Sequence, residues 1–177
     1  QASPGGFDSH FLPPHEPATM NAPAPSPACP PELYYLMAHQ VWARLEGDGT
    51  ATVGITQLGI QLSGEIYMCR PKRPGTVLTQ GETVAVVELA KAIVPVKTAI
   101  SGTVIEGNPA LEERPQLVHR DPFGAGWIAR LRLADFEADR PALLTGAAAQ
   151  AATAEEAQAR RHELVPATTW QHTPPAP

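Results

Sequence analysis

The sequence predicts an all-β fold: two small sheets facing each other, with short helices at the periphery. Three observations carry that prediction. Gly81 to Val104 reads GETVAVVELAKAIVPVKTAISGTV, a strand–tip–strand stretch dense in Val and Ile, side chains that pack well on a half-buried pleated surface. A second pair of apolar runs flanks Glu46-Gly47-Asp48-Gly49, a tight-turn sequence whose Asp-Gly pair suits positive φ. A third run, Ile128-Ala129-Arg130-Leu131-Arg132-Leu133, alternates apolar and polar, as a strand with one face on a core does.

Taken in order, residues 1–31 hold nine of the twenty prolines and neither Lys nor Arg. A Pro/Ala/Ser-rich segment of this kind buries too little apolar surface to offset its ordering entropy and is expected to be a disordered tail. It has no apolar run of the signal-peptide type, and its lack of arginine argues against a mitochondrial presequence. The first Met is Met20, and no function is assigned to the residues before it. The body is expected over 32–144. Leu33-Tyr34-Tyr35-Leu36 and Val41-Trp42-Ala43-Arg44-Leu45 read as strands, and Ala51-Thr52-Val53-Gly54-Ile55-Thr56 as the return strand of a hairpin. Trp42 is expected to pack in the core of that hairpin. Gln57 to Gly64 suits a short helix, with Leu58 and Leu62 four apart. Glu65-Ile66-Tyr67-Met68-Cys69 alternates like a strand, and Arg70-Pro71-Lys72-Arg73-Pro74-Gly75 reads as a basic, proline-stiffened loop. Asn108-Pro109 marks a turn and Ala110 to Arg114 a short helix; Gly124 and Gly126 give the following loop backbone freedom. Asp135 to Asp139 starts a helical turn. Residues 145–177 form an Ala-rich tail, partly helical or disordered. Its helix, with Glu156 and Arg160 four apart, has almost no large apolar face and is expected to be solvent-exposed or transient.

Composition excludes several functions. Two cysteines, Cys29 and Cys69, make neither a disulfide framework nor a zinc site, and the six histidines show no metal-ligand spacing. No stretch approaches the ~20 apolar residues of a transmembrane helix. A net charge of −5 and pI near 5.6 argue against a nucleic-acid surface. The expectation is a soluble, cytoplasmic protein with no nucleic-acid or membrane partner. No nucleophile–base pair, Gly-rich phosphate loop or paired carboxylate site is apparent, so catalysis is not expected of the chain itself.

One residue stands out. Lys91 lies ten residues after Gly81 and eleven before Gly102, nearly centred between two chain reversals, and an antiparallel pair turning there pushes it into solvent. Read alone, it is either an ordinary solvated lysine or an attachment point for a prosthetic arm. The chain has three lysines (Lys72, Lys91, Lys97) against ten arginines. Keeping an amine here matters where it must be acylated, since guanidinium is a poor nucleophile.

Glu88-x-x-Lys91-Ala92, followed by Gly102, resembles the lipoyl-lysine hairpin of the glycine cleavage system H-protein family. Biotin-carrier hairpins usually flank their lysine with Met; here Ala stands on both sides. The hairpin VWARLEGDGTATVGIT resembles the opening of H-proteins. Residues 107–118, GNPALEERPQLV, are similar to the family's N-x-A-L…P-x-L-V segment, and Asp121-Pro122-Phe123-Gly124-Ala125-Gly126-Trp127 to its D-P-Y-G-x-G-W signature, with Phe for Tyr. The resemblance spans roughly residues 40–133. It implies a lipoyl/biotinyl-like barrel-sandwich hybrid with lipoate covalently on Lys91, and with Glu88 and Ala92 contributing to recognition of the hairpin. A lipoate ligase or lipoyl transferase would attach the group. The lipoyl arm would then shuttle an aminomethyl group from glycine decarboxylase to the aminomethyltransferase, with dihydrolipoyl dehydrogenase reoxidising the dithiol. Such a protein is a carrier and shuttle substrate, not an enzyme.

Departures from the family pattern open a second reading. Where H-proteins carry an E-L-P type loop, this chain has Arg70 to Gly75. Its Lys91 is followed by Ala92-Ile93-Val94-Pro95, against the usual E-S-V-K-A-A-S, and His39 lies three before Trp42, where H-E-W is common. The helix before Glu65 lacks the D-x-A-Q start. These features resemble the H-like lipoate-binding proteins of sulfur-oxidising bacteria, which carry sulfur intermediates for a heterodisulfide-reductase-like complex. A third reading, an unlipoylated scaffold or interaction domain, accounts least well for a lysine kept in a lysine-poor chain.

Overall fold

The computed structural model describes residues 26–165; of the expected tails, residues 1–25 and 166–177 lie outside the described residues. The chain opens with strand β1 (Tyr34–Leu36) and a 3-10 turn, Met37–His39, that ends at Gln40 in the left-handed region. Strands β2 (Val41–Leu45) and β3 (Thr50–Ile55) form the first hairpin, Leu45 opposite Ala51. Its tip uses Gly47 and Gly49 at φ 79 and 81, a conformation costly for residues with a Cβ. Asp48 lies between them and its carboxylate accepts the Thr50 N–H.

Helix α1 (Gln57–Ser63) follows, capped by Thr56, whose Oγ1 accepts the Gly59 N–H at 3.0 Å. Then come β4 (Met68–Pro71), β5 (Val77–Leu78), β6 (Thr83–Glu88), β7 (Ile93–Lys97) and β8 (Gly102–Gly107). Two one-turn helices, α2 (Ala110–Glu113) and α3 (Leu117–Arg120), lead to β9 (Ala129–Leu133), and α4 (Phe136–Asp139) and α5 (Gly146–Ala159) complete the order. Six strands pair as β1-β2-β3-β9-β8-β5, and the other three as β4-β6-β7. The two sheets share one core. Val41, Ala43, Ala51, Val53, Val104 and Leu131 enter it from the large sheet, and Cys69, Ala85, Val87 and Val96 from the small one.

Two local expectations shift by a few residues. Glu65 to Tyr67 precedes β4 rather than joining it, because Gly64 turns the chain at φ 86 and the Ile66 N–H is taken by His119 Nε2 at 2.8 Å. Arg70 and Pro71, read as loop, are strand residues. β4 is an edge of the small sheet and β7, carrying Pro95, is the other, and an edge tolerates proline's missing donor.

Helix α5 corrects a third. It is not a detached helix: Ala149, Thr153 and Ala157 are buried, and Ala149 joins a second apolar cluster with Leu33, Tyr35 and Trp42. Small side chains let the backbone approach closely, so docking needs no large apolar stripe. Residues 28–31 are tied to the same region. The Pro31 carbonyl accepts the Gly146 N–H and the Thr145 hydroxyl, the Cys29 carbonyl accepts from Gln150 Nε2, and the Ala28 N–H reaches Gln57 Oε1.

Burial pushes the Cys69 thiol up to about 12, and raises the Tyr35 hydroxyl too, chiefly by desolvation and then by Cys29 beside it. Both groups hold their protons tighter folded than unfolded. Stability is therefore undiminished below about pH 9 and declines as pH rises towards 12, by up to about 1.4 kcal/mol per pH unit and group. Urea midpoints at pH 8, 9.5 and 11 should fall in that order, with Cys69→Ala flattening the decline; a midpoint unchanged at pH 11 would contradict the burial.

Candidate functional site

The small sheet is built to present a tip. β6 and β7 pair Glu88 with Ile93, Val87 with Val94 and Val86 with Pro95, which leaves Leu89-Ala90-Lys91-Ala92 as the connection, closed by the Leu89 N–H on the Ala92 carbonyl at 2.8 Å. Ala90, Lys91 and Ala92 are exposed, while Leu89 is half-buried and packs against the core. Leu89 therefore anchors a tip whose other residues face water. Next to it, the Glu88 carbonyl accepts the Tyr67 N–H at 2.8 Å, tying the start of the turn to the segment that leads into β4. Tip position was readable from the spacing of valines and glycines. The Leu89 anchor and the Tyr67 tie were not, since both depend on contacts distant in sequence.

The three residues singled out from sequence come together here. Lys91 occupies the tip, Ala92 follows it, and Glu88 forms the closing pair below it with an exposed side chain. Among the described residues Lys91 makes no ion pair, so its amine is accessible to a modifying enzyme. The other two lysines differ. Lys97 is half-buried with its Nζ 3.3 Å from Thr83 Oγ1, and Lys72 is exposed beyond β4, its N–H on the Val84 carbonyl. An exposed amine on a short, anchored turn between apolar-cored strands fits covalent acylation by an arm-bearing acid: the root is held still and nothing nearby competes for the nitrogen.

Two concavities flank the sheet's edges. Beside β7 lies a groove of about 360 Å³, lined by Leu62 and Ser63 of α1, by Val94 and Pro95, by His39 and Gln40, and by Arg160 just past α5. Arg160 is held by ion pairs to Glu163 at 2.7 Å and Glu156 at 3.4 Å. Beside β4 a cavity of about 800 Å³ runs between Tyr67–Pro74 and Ile105–Pro109. Among the described residues no cluster of His, Cys, Asp or Glu could hold a metal ion, and no helix is long and apolar enough to cross a membrane.

The segments that look most distinctive in the sequence are scaffolding, not site. Trp42, fully buried, donates from Nε1 to the carbonyls of Ile55 and Pro122, each at 3.1 Å, and Phe123 packs on it at 5.9 Å between ring centroids. Asn108 Nδ2 donates to the Ala125 and Trp127 carbonyls at 2.9 and 2.8 Å. Gly124 and Gly126 lie in a loop folded back on Asp121; at Gly126 a Cβ would stand 2.3 Å from the Leu117 carbonyl oxygen. Close approach, not positive φ, is what requires glycine at these two positions.

This architecture has known counterparts. A solved H-protein structure from Mycobacterium marinum superposes with a TM-score of 0.58 at 27% identity, covering 70% of this chain and 96% of that one, and the two curled sheets are a barrel-sandwich fold. Glycine cleavage system H protein 2 of Aquifex aeolicus is 43% identical over 117 residues, 66% of this chain and 73% of the relative. The glycine cleavage system H protein of Halorhodospira halophila is 41% identical over 127 residues, 72% of this chain and 96% of the relative. The model of the family described as glycine cleavage H-protein matches residues 33–156, and so the chain belongs to the glycine cleavage H-protein family.

Proposed function

We propose that the protein is a lipoyl carrier of the glycine cleavage system, with lipoate attached through an amide to Lys91 and with Glu88 and Ala92 part of what the attaching enzyme recognises. The observation that carries this reading is the exposed, unpaired Lys91 on a tip anchored by Leu89, in a chain of this family. When attached, lipoate supplies a reversible dithiol–disulfide pair able to accept an aminomethyl group derived from glycine. The chain's own work is mechanical. The sheet fixes the root of the arm, and the groove beside β7 offers it a partly apolar resting place. Partners are a lipoate ligase or lipoyl transferase, glycine decarboxylase, the aminomethyltransferase and dihydrolipoyl dehydrogenase, and the chain acts as their shuttle substrate rather than as a catalyst.

Carboxyl exchange tests it. The lipoylated protein, glycine decarboxylase, glycine and labelled bicarbonate should move label into the glycine carboxyl group; no exchange above an arm-free control would end the reading.

A second reading has an observation in its favour. An aminomethyl cargo is cationic at neutral pH and calls for a nearby carboxylate. The groove beside β7 has none among its described lining residues, and its ionisable ones are His39 and Arg160. Because Arg160 is already paired with Glu156 and Glu163, that lining suits a neutral cargo, as a carrier of sulfur intermediates for a heterodisulfide-reductase-like complex could hold. Failed exchange together with turnover by such a complex would select it.

The carrier body is proposed to span residues 32–144, with 1–31 and 145–177 outside it. The contacts of residues 28–31 and of α5 refine the test. Removing residues 1–25 should leave the melting temperature unchanged within about 2 °C. Removing 1–31 should lower it by about 3–6 °C, through lost bonds to Thr145, Gly146 and Gln150 worth about 1.5 kcal/mol in total. Equal melting temperatures for the two truncations would show that the strap contributes nothing.

A further inference from the structure

The outer face of the Lys91 sheet has an unbalanced composition. Strand pairing places Met68, Glu88 and Ile93 in one row and Arg70, Val86 and Pro95 in the next. Alternation turns Cys69, Val87 and Val94 inward. Ile93 is 71% exposed, although it adjoins the tip, Pro95 is exposed beside half-buried Val86, and Met68 is half-buried across from Glu88. Beyond this apolar strip stand Arg70, Lys72 and Arg73, all exposed. Together with Pro71, Thr76 and Val86 they line a concavity of about 440 Å³ that no carboxylate lines.

Three cations within four residues repel one another, in a chain of net charge −5. Of the eight arginines elsewhere, four form ion pairs among the described residues, Arg44 with Glu46, Arg130 with Glu106, Arg140 with Glu137, and Arg160 with Glu156 and Glu163; the other four, Arg114, Arg120, Arg132 and Arg161, are spread along the chain and not gathered as these three cations are. None of the three cations in this patch forms an ion pair among the described residues. An apolar centre with unpaired arginines at its margin is the composition of a docking surface; the same three cations also line the neighbouring cavity of about 800 Å³ with Glu106 and Glu112, but neither carboxylate forms an ion pair with them among the described residues, which leaves their charge to an outside carboxylate. Position adds to this. Arg70 lies one row from Glu88 and Ile93, about 7 Å along the strand at ~3.4 Å per residue, so this face is within reach of an enzyme that takes the arm from Lys91.

We propose that Arg70, Lys72 and Arg73, with Val86, Ile93 and Pro95, form the docking surface for a carboxylate-bearing face of the decarboxylase that loads the Lys91 arm. The inference rests on the carrier reading above and adds to it where the loading enzyme binds and what chemistry its surface presents. Charge attraction brings the partner in, while the apolar strip beside the tip is dehydrated on contact and holds it.

The test uses the full chain, lipoylated on Lys91, with glycine decarboxylase from the same organism and the labelled-bicarbonate exchange as readout. Exchange is measured against carrier concentration at 50 and 300 mM salt. The wild-type KM should rise with salt. Replacing all three cations (R70E, K72E, R73E) should raise KM for the carrier about tenfold or more at low salt with kcat unchanged; R70Q, K72Q and R73Q together should fall between. Ile93→Ser should raise KM without altering its salt dependence. Melting temperatures and complete lipoylation of each variant certify that fold and tip are intact. Exchange by the wild type with an unchanged KM in the reversed variant overturns the docking surface alone. No exchange by the lipoylated wild type overturns the glycine reading, and this assignment of partner with it.

Discussion

Incubated with a lipoate ligase, lipoate and ATP, the full-length protein is expected to gain one lipoyl group, and the Lys91→Arg variant none. The effect is all-or-none because acyl transfer needs a neutral amine, and a guanidinium stays protonated at any workable pH. Arg fits the exposed tip without strain, so folding stays intact and the loss is chemical. The internal control is Lys72. Like Lys91 it is exposed, but it extends from the start of a basic loop, not from a turn with Leu89 packed beneath it. If exposure alone decided the site, Lys72 would be modified too. Peptide mapping that finds the adduct on Lys72, or on Lys97, in the wild-type protein would remove the tip from the proposal. Glu88→Gln should slow attachment while leaving its end point unchanged, since Glu88 is proposed as part of what the ligase reads and takes no part in the bond formed. A rate equal to wild type would assign that carboxylate no part in recognition.

What could be read from the sequence followed the range of the interactions concerned. The β2–β3 hairpin was legible because its cause is local: glycines at 47 and 49 supply positive φ and the flanking runs supply a buried face. Lys91 at a tip was legible for the same reason. The docking of α5 was not, because its buried positions are Ala149, Thr153 and Ala157, whose smallness is the mechanism and leaves no apolar signal. Residues 28–31 read as tail by composition, yet their carbonyls find donors more than a hundred residues away, at Thr145 and Gln150. Helix α3 escaped notice because four residues, Leu117–Arg120, are too few for a periodic pattern. Its consequence, His119 taking the Ile66 N–H, in turn explains why the strand before the basic loop starts at Met68 rather than Glu65. Likewise, a groove assembled from Leu62, Val94 and Arg160 has no contiguous sequence to announce it.

The largest loss of stability is expected from Trp42→Ala, about 3–5 kcal/mol, against a total stability on the order of 5–15 kcal/mol for a domain. The indole is the centre of the second cluster, between Leu33, Tyr35 and Ala149, with Phe123 and Trp127 packed around it. Its Nε1 satisfies two carbonyls at once, Ile55 on the neighbouring strand and Pro122 in the loop after α3. Truncation thus leaves a cavity and removes the donor shared by those two carbonyls. Trp42→Phe keeps much of the volume and loses only the donor, and should cost about 1–3 kcal/mol. Opposite the ring is Gly54, the cross-strand partner of Trp42; a Cβ there would stand 2.6 Å from the indole Cε2. Gly54→Ala should therefore cost about 1–3 kcal/mol by overpacking in the wild type, and little or nothing once Trp42 is Ala and the ring is gone. Denaturant midpoints of the two single variants and the double variant measure this coupling directly. Additive losses would mean that the glycine is there for some reason other than the ring. Single and double variants that keep the wild-type lipoylation rate would place the whole Trp42–Gly54–Pro122 assembly in the scaffold and leave the chemistry to the Lys91 tip.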